Sequence, residues 1–212
     1  MNLRSRMNWV RPPGPLAEGM RVGLLGGSFN PAHAGHIYAS ELALKRLRLD
    51  YVWWLVSPQN PLKDAAGMAG FDTRLTQAKA FVRHPHIVVT GIEDALGTRF
   101  TVDTLRALTH RFAEIRFVWL MGSDNLLQLP RWRDWQAIFA LVPIAVVVRP
   151  GSALSARTSK AASRFRDFYL PPGRHFSVME PPAWTILDSK RHPGSATALR
   201  TRPGLAKAPA LW

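Results

Sequence analysis

Short apolar runs alternate with longer amphipathic stretches along most of this chain. Val22-Gly23-Leu24-Leu25 reads as a short buried strand. Residues 37–49 follow as a helix, with Ala39, Leu42, Ala43 and Leu47 on one face at helical spacing. The alternation then recurs. Strands are predicted at 51–56, 86–90, 115–121, 144–148 and 184–187. Helices are predicted at 71–82, at 101–112 with Thr101 as N-cap, around 132–139, and near 159–168. Strands interleaved with helices imply βαβ units, hence an α/β protein with a doubly wound, mainly parallel sheet and helices on both faces. Ligands of such sheets bind at the carboxyl ends of the strands, where the strand order reverses.

Residues 1–19 hold Pro12, Pro13, Gly14 and Pro15 with little periodicity, and read as a mobile N-terminal extension. Residues 20–202 read as one domain and 203–212 as a C-terminal tail. No internal repeat is found. The 212 residues suffice for a proper core, and a hydrophobic fraction of 47% fits a globular protein.

Other features narrow the class. Cysteine is absent, which removes disulfides and thiolate metal sites and suits a cytoplasmic enzyme. The longest apolar run, 137–148, is too short to span a membrane and contains Pro143; the N-terminus lacks an apolar signal core. The net charge of +14 is spread along the chain and densest at Arg157, Lys160, Arg164 and Arg166. No RNA-recognition motif, zinc finger or helix-turn-helix pattern accompanies it, so no nucleic-acid or membrane partner is expected. A basic field also draws in small polyanions, and a merely solvated basic surface accounts equally well for most of these charges.

The chemistry concentrates where the first strand turns into the first helix. There the chain reads Gly26-Gly27-Ser28-Phe29-Asn30-Pro31-Ala32-His33-Ala34-Gly35-His36. Glycines let backbone N–H groups approach phosphate closely, and a helix N-terminus adds partial positive charge. Two imidazoles one turn apart share a face and can both donate to phosphate oxygens. As a metal site the pair falls short, with two ligands and no third nearby. The P-loop pattern is absent. Four further segments follow predicted elements: Ser57-Pro58-Gln59-Asn60-Pro61-Leu62-Lys63; Phe100-Thr101-Val102-Asp103-Thr104-Leu105; Gly122-Ser123-Asp124-Asn125 with Leu129-Pro130-Arg131-Trp132; and Gly194-Ser195-Ala196-Thr197-Ala198-Leu199-Arg200. Taken singly each has an ordinary reading. Asp124 could cap a helix or accept both hydroxyls of a ribose. Ser195, Thr197 and Arg200 could open a plain C-terminal helix or form a second anion site. Lys63 could be a solvated lysine, and Trp132 a core residue.

The first string resembles the nucleotidyltransferase family with the His-x-Gly-His motif, whose fold is Rossmann-like. With the four further segments, residues 20–202 resemble the bacterial nicotinate-nucleotide adenylyltransferases. The resemblance implies adenylyl transfer from ATP to nicotinate mononucleotide, in NAD biosynthesis. It implies that Gly26, Gly27, Ser28, Phe29, His33, His36, Asp124, Ser195, Thr197 and Arg200 bind ATP, with His33, His36 and Arg200 catalytic. Asn30, Lys63, Thr101 and Trp132 would face the mononucleotide. Mg²⁺ would be held mainly by the ATP phosphates, with no all-protein metal site. Two departures stand out: Leu62 replaces a histidine usual before the lysine, and Gly194 and Leu199 replace isoleucines of the last motif. Acceptors that stay open are nicotinamide mononucleotide and phosphopantetheine; a basic RNA-binding module is the reading from another class. Oligomeric state is not legible.

Overall fold

The computed structural model describes residues 11–58, 68–148, 153–173 and 175–188. Among the described residues there are six strands, β1 (Arg21–Gly27), β2 (Tyr51–Val56), β3 (Ile87–Thr90), β4 (Arg116–Gly122), β5 (Ile144–Val148) and β6 (Trp184–Asp188). They form one sheet in the order β3-β2-β1-β4-β5-β6, and every neighbouring pair is parallel. This is the Rossmann-like arrangement expected. β1 lies between β2 and β4, so the strand order reverses there and a crevice opens beyond the carboxyl ends.

Parallel strands covered on both faces should be apolar at consecutive positions, and they are. Trp53 and Trp54 are both fully buried, on opposite faces. One face carries α1 (Ala34–Leu47) and α2 (Phe71–Phe81), with Ala43, Leu47 and Ala78 packed against Val52, Trp54 and Leu120. The other carries α3 (Ile92–Leu96), α4 (Thr101–Arg111), α5 (Ser123–Gln128), α6 (Trp135–Leu141), α7 (Ala153–Arg157) and α8 (Lys160–Arg164). Leu105, Leu108, Leu126 and Phe139 of these helices meet Leu24, Trp53, Trp119 and Val146 of the sheet.

Several boundaries differ from expectation for local reasons. α1 starts at Ala34 rather than at 37, because His33 caps it. Thr101 is the first helical residue of α4 and not its cap; Phe100 holds that position with no side-chain cap bond. The helix expected around 132–139 is interrupted: a 3₁₀ turn at Leu129–Arg131 precedes an extended Trp132, and α6 starts only at Trp135. Ser159 accepts from the N–H of Ala162 at 3.1 Å and caps α8, which gives way to a 3₁₀ turn at Arg166–Phe168. The short helices α3, α5 and α7 had no clear periodic signal.

Residues 11–19 run against this body. The N–H of Gly19 donates to the carbonyl of Glu114 at 2.9 Å, and Leu16 is partly buried against the core. Among the described residues no helix is long and apolar enough to cross a membrane.

Candidate active site

β1 ends at Gly27 beside the end of β2, where the N–H of Ser57 donates to the carbonyl of Gly27 at 2.9 Å. The chain then turns through Ser28 and Phe29. Phe29 has φ of 46°, the left-handed region that side chains seldom adopt. Its ring is buried and stacks on Trp54, with centroids 4.8 Å apart and planes 13° apart. Burial and stacking offset a backbone cost on the order of 1–3 kcal/mol. Phe29 therefore anchors the turn by its side chain, leaving the turn's backbone to face the cleft.

The two histidines build the start of α1 between them. His33 is the N-cap; its Nδ1 accepts from the N–H of Gly35 at 3.1 Å. The Nδ1 of His36 accepts from the N–H of His33 at 3.2 Å. The rings stack with centroids 3.8 Å apart. Since each Nδ1 accepts, the proton of each neutral ring belongs on Nε2, the atom that can donate to an anion. One expectation changes: the Gly35 N–H is used inside the cap, so the imidazoles and the helix dipole, more than free N–H groups, would attract phosphate.

Across the crevice stands a second wall. Gly26, Gly27, Ser28, Thr101 and Trp132 line one cleft, together with Ser57, Glu93, Trp119 and Asn125. Arg99, Arg131 and Arg133 border it, and the Arg133 guanidinium lies 4.8 Å from the Phe100 ring centroid. Trp132 is partly buried against the core and also faces the cleft. Asp124 is exposed at the second position of α5, just past the carboxyl end of β4, so it does not cap that helix; Gly122 does. A Cβ at Gly122 would collide with Asp124 Oδ1. Asn30 Oδ1 accepts from the N–H of Ala69 at 3.3 Å, an internal tie beside the cleft. Lys63, Ser195, Thr197 and Arg200 lie outside the described residues.

Glu93 was not singled out by sequence. It sits on a short helix with no motif around it, and only the fold brings it to the cleft floor. Its carboxyl is buried and accepts from Thr104 Oγ1 at 3.1 Å, and the Ser57 hydroxyl hydrogen-bonds it as well. Burial raises its pKa to about 7, against the pull of those two hydroxyls.

The profile of the cytidylyltransferase-like family matches residues 24–202. A protein of Parvibaculum lavamentivorans named "Probable nicotinate-nucleotide adenylyltransferase" is 55% identical over 191 residues, covering 89% of this chain and 95% of that one. The chain belongs to the nicotinate-nucleotide adenylyltransferase family. A second member with the same name, from Ruegeria pomeroyi, is 47% identical and covers 97% of this chain and 94% of its own. Among solved structures, nicotinic acid mononucleotide adenylyltransferase of Plasmodium falciparum, complexed with NaAD, is similar with a TM-score of 0.62. It is 12% identical, over 82% of this chain and 77% of that chain, so this likeness concerns the fold. The likeness agrees with the Rossmann-like α/β fold described above.

Proposed function

We propose that this chain joins nicotinate mononucleotide to ATP, forming nicotinate adenine dinucleotide and pyrophosphate. A phosphate oxygen of the mononucleotide attacks the α-phosphorus of ATP; the bond to the β-phosphate oxygen breaks, and pyrophosphate departs with that electron pair. The nucleophile is already anionic, so no general base is needed. Catalysis then consists of holding two polyanions in line and stabilising the charge that develops.

One observation carries this reading. The turn at Gly26–Ser28 and the Thr101 and Trp132 wall enclose a single cleft at the strand-order reversal. The first side suits phosphates, with His33 and His36 alongside. The second offers an indole for stacking on a pyridine ring and three arginines at the border. In this reading Gly26, Gly27, Ser28 and Phe29 approach the reacting phosphates through their backbone. Asp124 holds the adenosine ribose. Ser195, Thr197 and Arg200 complete the triphosphate site, and Asn30, Lys63, Thr101 and Trp132 meet the mononucleotide.

Mg²⁺ would be held mainly by the ATP phosphates and would supply charge neutralisation there. The described lining of the cleft brings together the hydroxyls of Ser28, Ser57 and Thr101, three arginines and the single carboxylate of Glu93. Hydroxyls and guanidinium groups suit the oxygens of a phosphate chain.

The test is pyrophosphate release with ATP and a panel of acceptors. Nicotinate mononucleotide should exceed nicotinamide mononucleotide by at least about a hundredfold in kcat/KM, since donors paired to a carboxylate are poorly satisfied by an amide. Equal efficiency would refute the acid preference and leave adenylyl transfer standing. Turnover with phosphopantetheine alone would replace the acceptor. Salt-dependent RNA binding without turnover would replace the whole reading.

A further inference from the structure

Arg74 on α2 is 1% exposed, and among the described residues its guanidinium forms no ion pair. Its burial pulls its pKa down. A buried guanidinium without a carboxylate is costly unless its donors are satisfied. Among the described residues, four of its five N–H donors meet backbone carbonyls. Nη1 donates to Ser28 O at 2.6 Å and to Ser57 O at 2.8 Å, Nη2 to Pro58 O at 2.9 Å, and Nε to Ala69 O at 2.9 Å.

These carbonyls belong to segments far apart in sequence. Ser28 is in the turn after β1. Ser57 and Pro58 directly follow β2. Ala69 leads into α2, and its N–H is held by Asn30. Ser57 also reaches Glu93 on the cleft floor. A planar fork with five N–H donors is the side chain that can join these points; lysine has three donors on one atom and cannot span them. A residue serving only the core at this position would be a leucine or methionine, with no desolvated charge.

We infer that Arg74 is a positioning residue: its guanidinium sets the spacing between the Gly27–Ser28 turn and the Ser57–Pro58 segment that follows β2, and so the alignment of the two phosphates that must react. The inference rests on the adenylyl-transfer reading. Each substrate keeps its own binding wall when Arg74 changes; what is lost is their mutual alignment. Misplacement of reacting groups by about 1 Å can lower a rate about a hundredfold.

Arg74→Lys and Arg74→Met test this, the first keeping charge and the second keeping bulk. The measurements are kcat and both KM values for pyrophosphate release, and the stoichiometry of a non-hydrolysable ATP analogue by calorimetry. The expected result is a kcat about a hundredfold lower with each KM near its wild-type value and stoichiometry unchanged. A loss of kcat merely in proportion to lost stoichiometry, or no loss, would overturn the inference, since a purely structural role lowers only the folded fraction. Hydrogen exchange supplies a readout independent of turnover. Faster exchange at peptides covering 26–30 and 55–58, with β5 and β6 unchanged, supports the role of Arg74. Uniform acceleration or none overturns it. A wild-type protein that fails to release pyrophosphate would sink the functional reading without deciding the exchange result.

Discussion

Gly26 meets the indole of Trp119 so closely that a Cβ there would stand 2.6 Å from Cη2 of the ring. Trp119 is 2% exposed and its ring also borders the cleft, so it has little room to retreat. Gly26→Ala should cost about 1–3 kcal/mol of stability and reduce turnover, because the indole must move into substrate space. Gly27→Ala should be milder, its Cβ meeting Phe29 at 3.3 Å. Trp119→Phe should partly rescue Gly26→Ala, which a double-mutant cycle of melting and kcat would detect. Strict additivity would deny that this contact is the cause.

The histidines should separate by role. His36→Ala should lower kcat by about 2–4 kcal/mol of transition-state stabilisation if its Nε2–H acts as an oxyanion donor. His33→Ala should lose activity and also about 1 kcal/mol of stability, because His33 is the N-cap of α1. His33→Asn restores a capping acceptor and should recover the melting temperature without recovering turnover. Near-normal turnover in folded His36→Ala and His33→Asn proteins would remove both from the mechanism.

Glu93 should leave a mark on stability against pH. Its folded pKa of about 7 lies above the ordinary 4.5, so the folded state holds the proton more tightly than the unfolded chain. Below pH 4.5 both states are protonated and nothing is lost. From there stability falls as pH rises to about 7, above which the full penalty, on the order of 3 kcal/mol at most, persists. Glu93→Gln should therefore gain on the wild type between pH 5 and 8. A stability difference that is flat with pH would mean the carboxyl ionises as freely as in the unfolded chain.

Trp132→Ala should raise KM for nicotinate and nicotinamide mononucleotides alike while ATP affinity holds, since stacking ignores the ring substituent. Trp132→Phe should retain most of the stacking and of the packing against the core. Equal weakening of ATP would place the indole on the other substrate.

A chain beginning at Met20 should keep its kcat, because residues 11–19 lie at the amino ends of the strands, away from the cleft. It should melt lower by about 1–2 kcal/mol, from loss of the apolar contact of Leu16. An unchanged melting temperature would show that this contact contributes nothing.

The sheet was legible because each strand is an apolar run, and the glycine turn because an unusual string of residues sits between a strand and a helix. What escaped was set by tertiary placement. α3 is too short for periodicity to mark it, so Glu93 looked like an ordinary surface residue. Arg74 lies on a predicted helix among polar neighbours, where an arginine signals solvent; only the converging carbonyls show otherwise. Trp132 was legible as a residue but not as extended backbone between two helical turns, because the Leu129–Arg131 turn belongs to packing and not to propensity.

Phe29 would suit its own backbone better as glycine, yet its ring pins the turn against Trp54. Loop entropy is thus given up once, when the chain folds, and not again with each substrate that arrives. The turn after β1 meets a nucleotide already shaped, and binding energy that would otherwise order it is left to bring the phosphates into line.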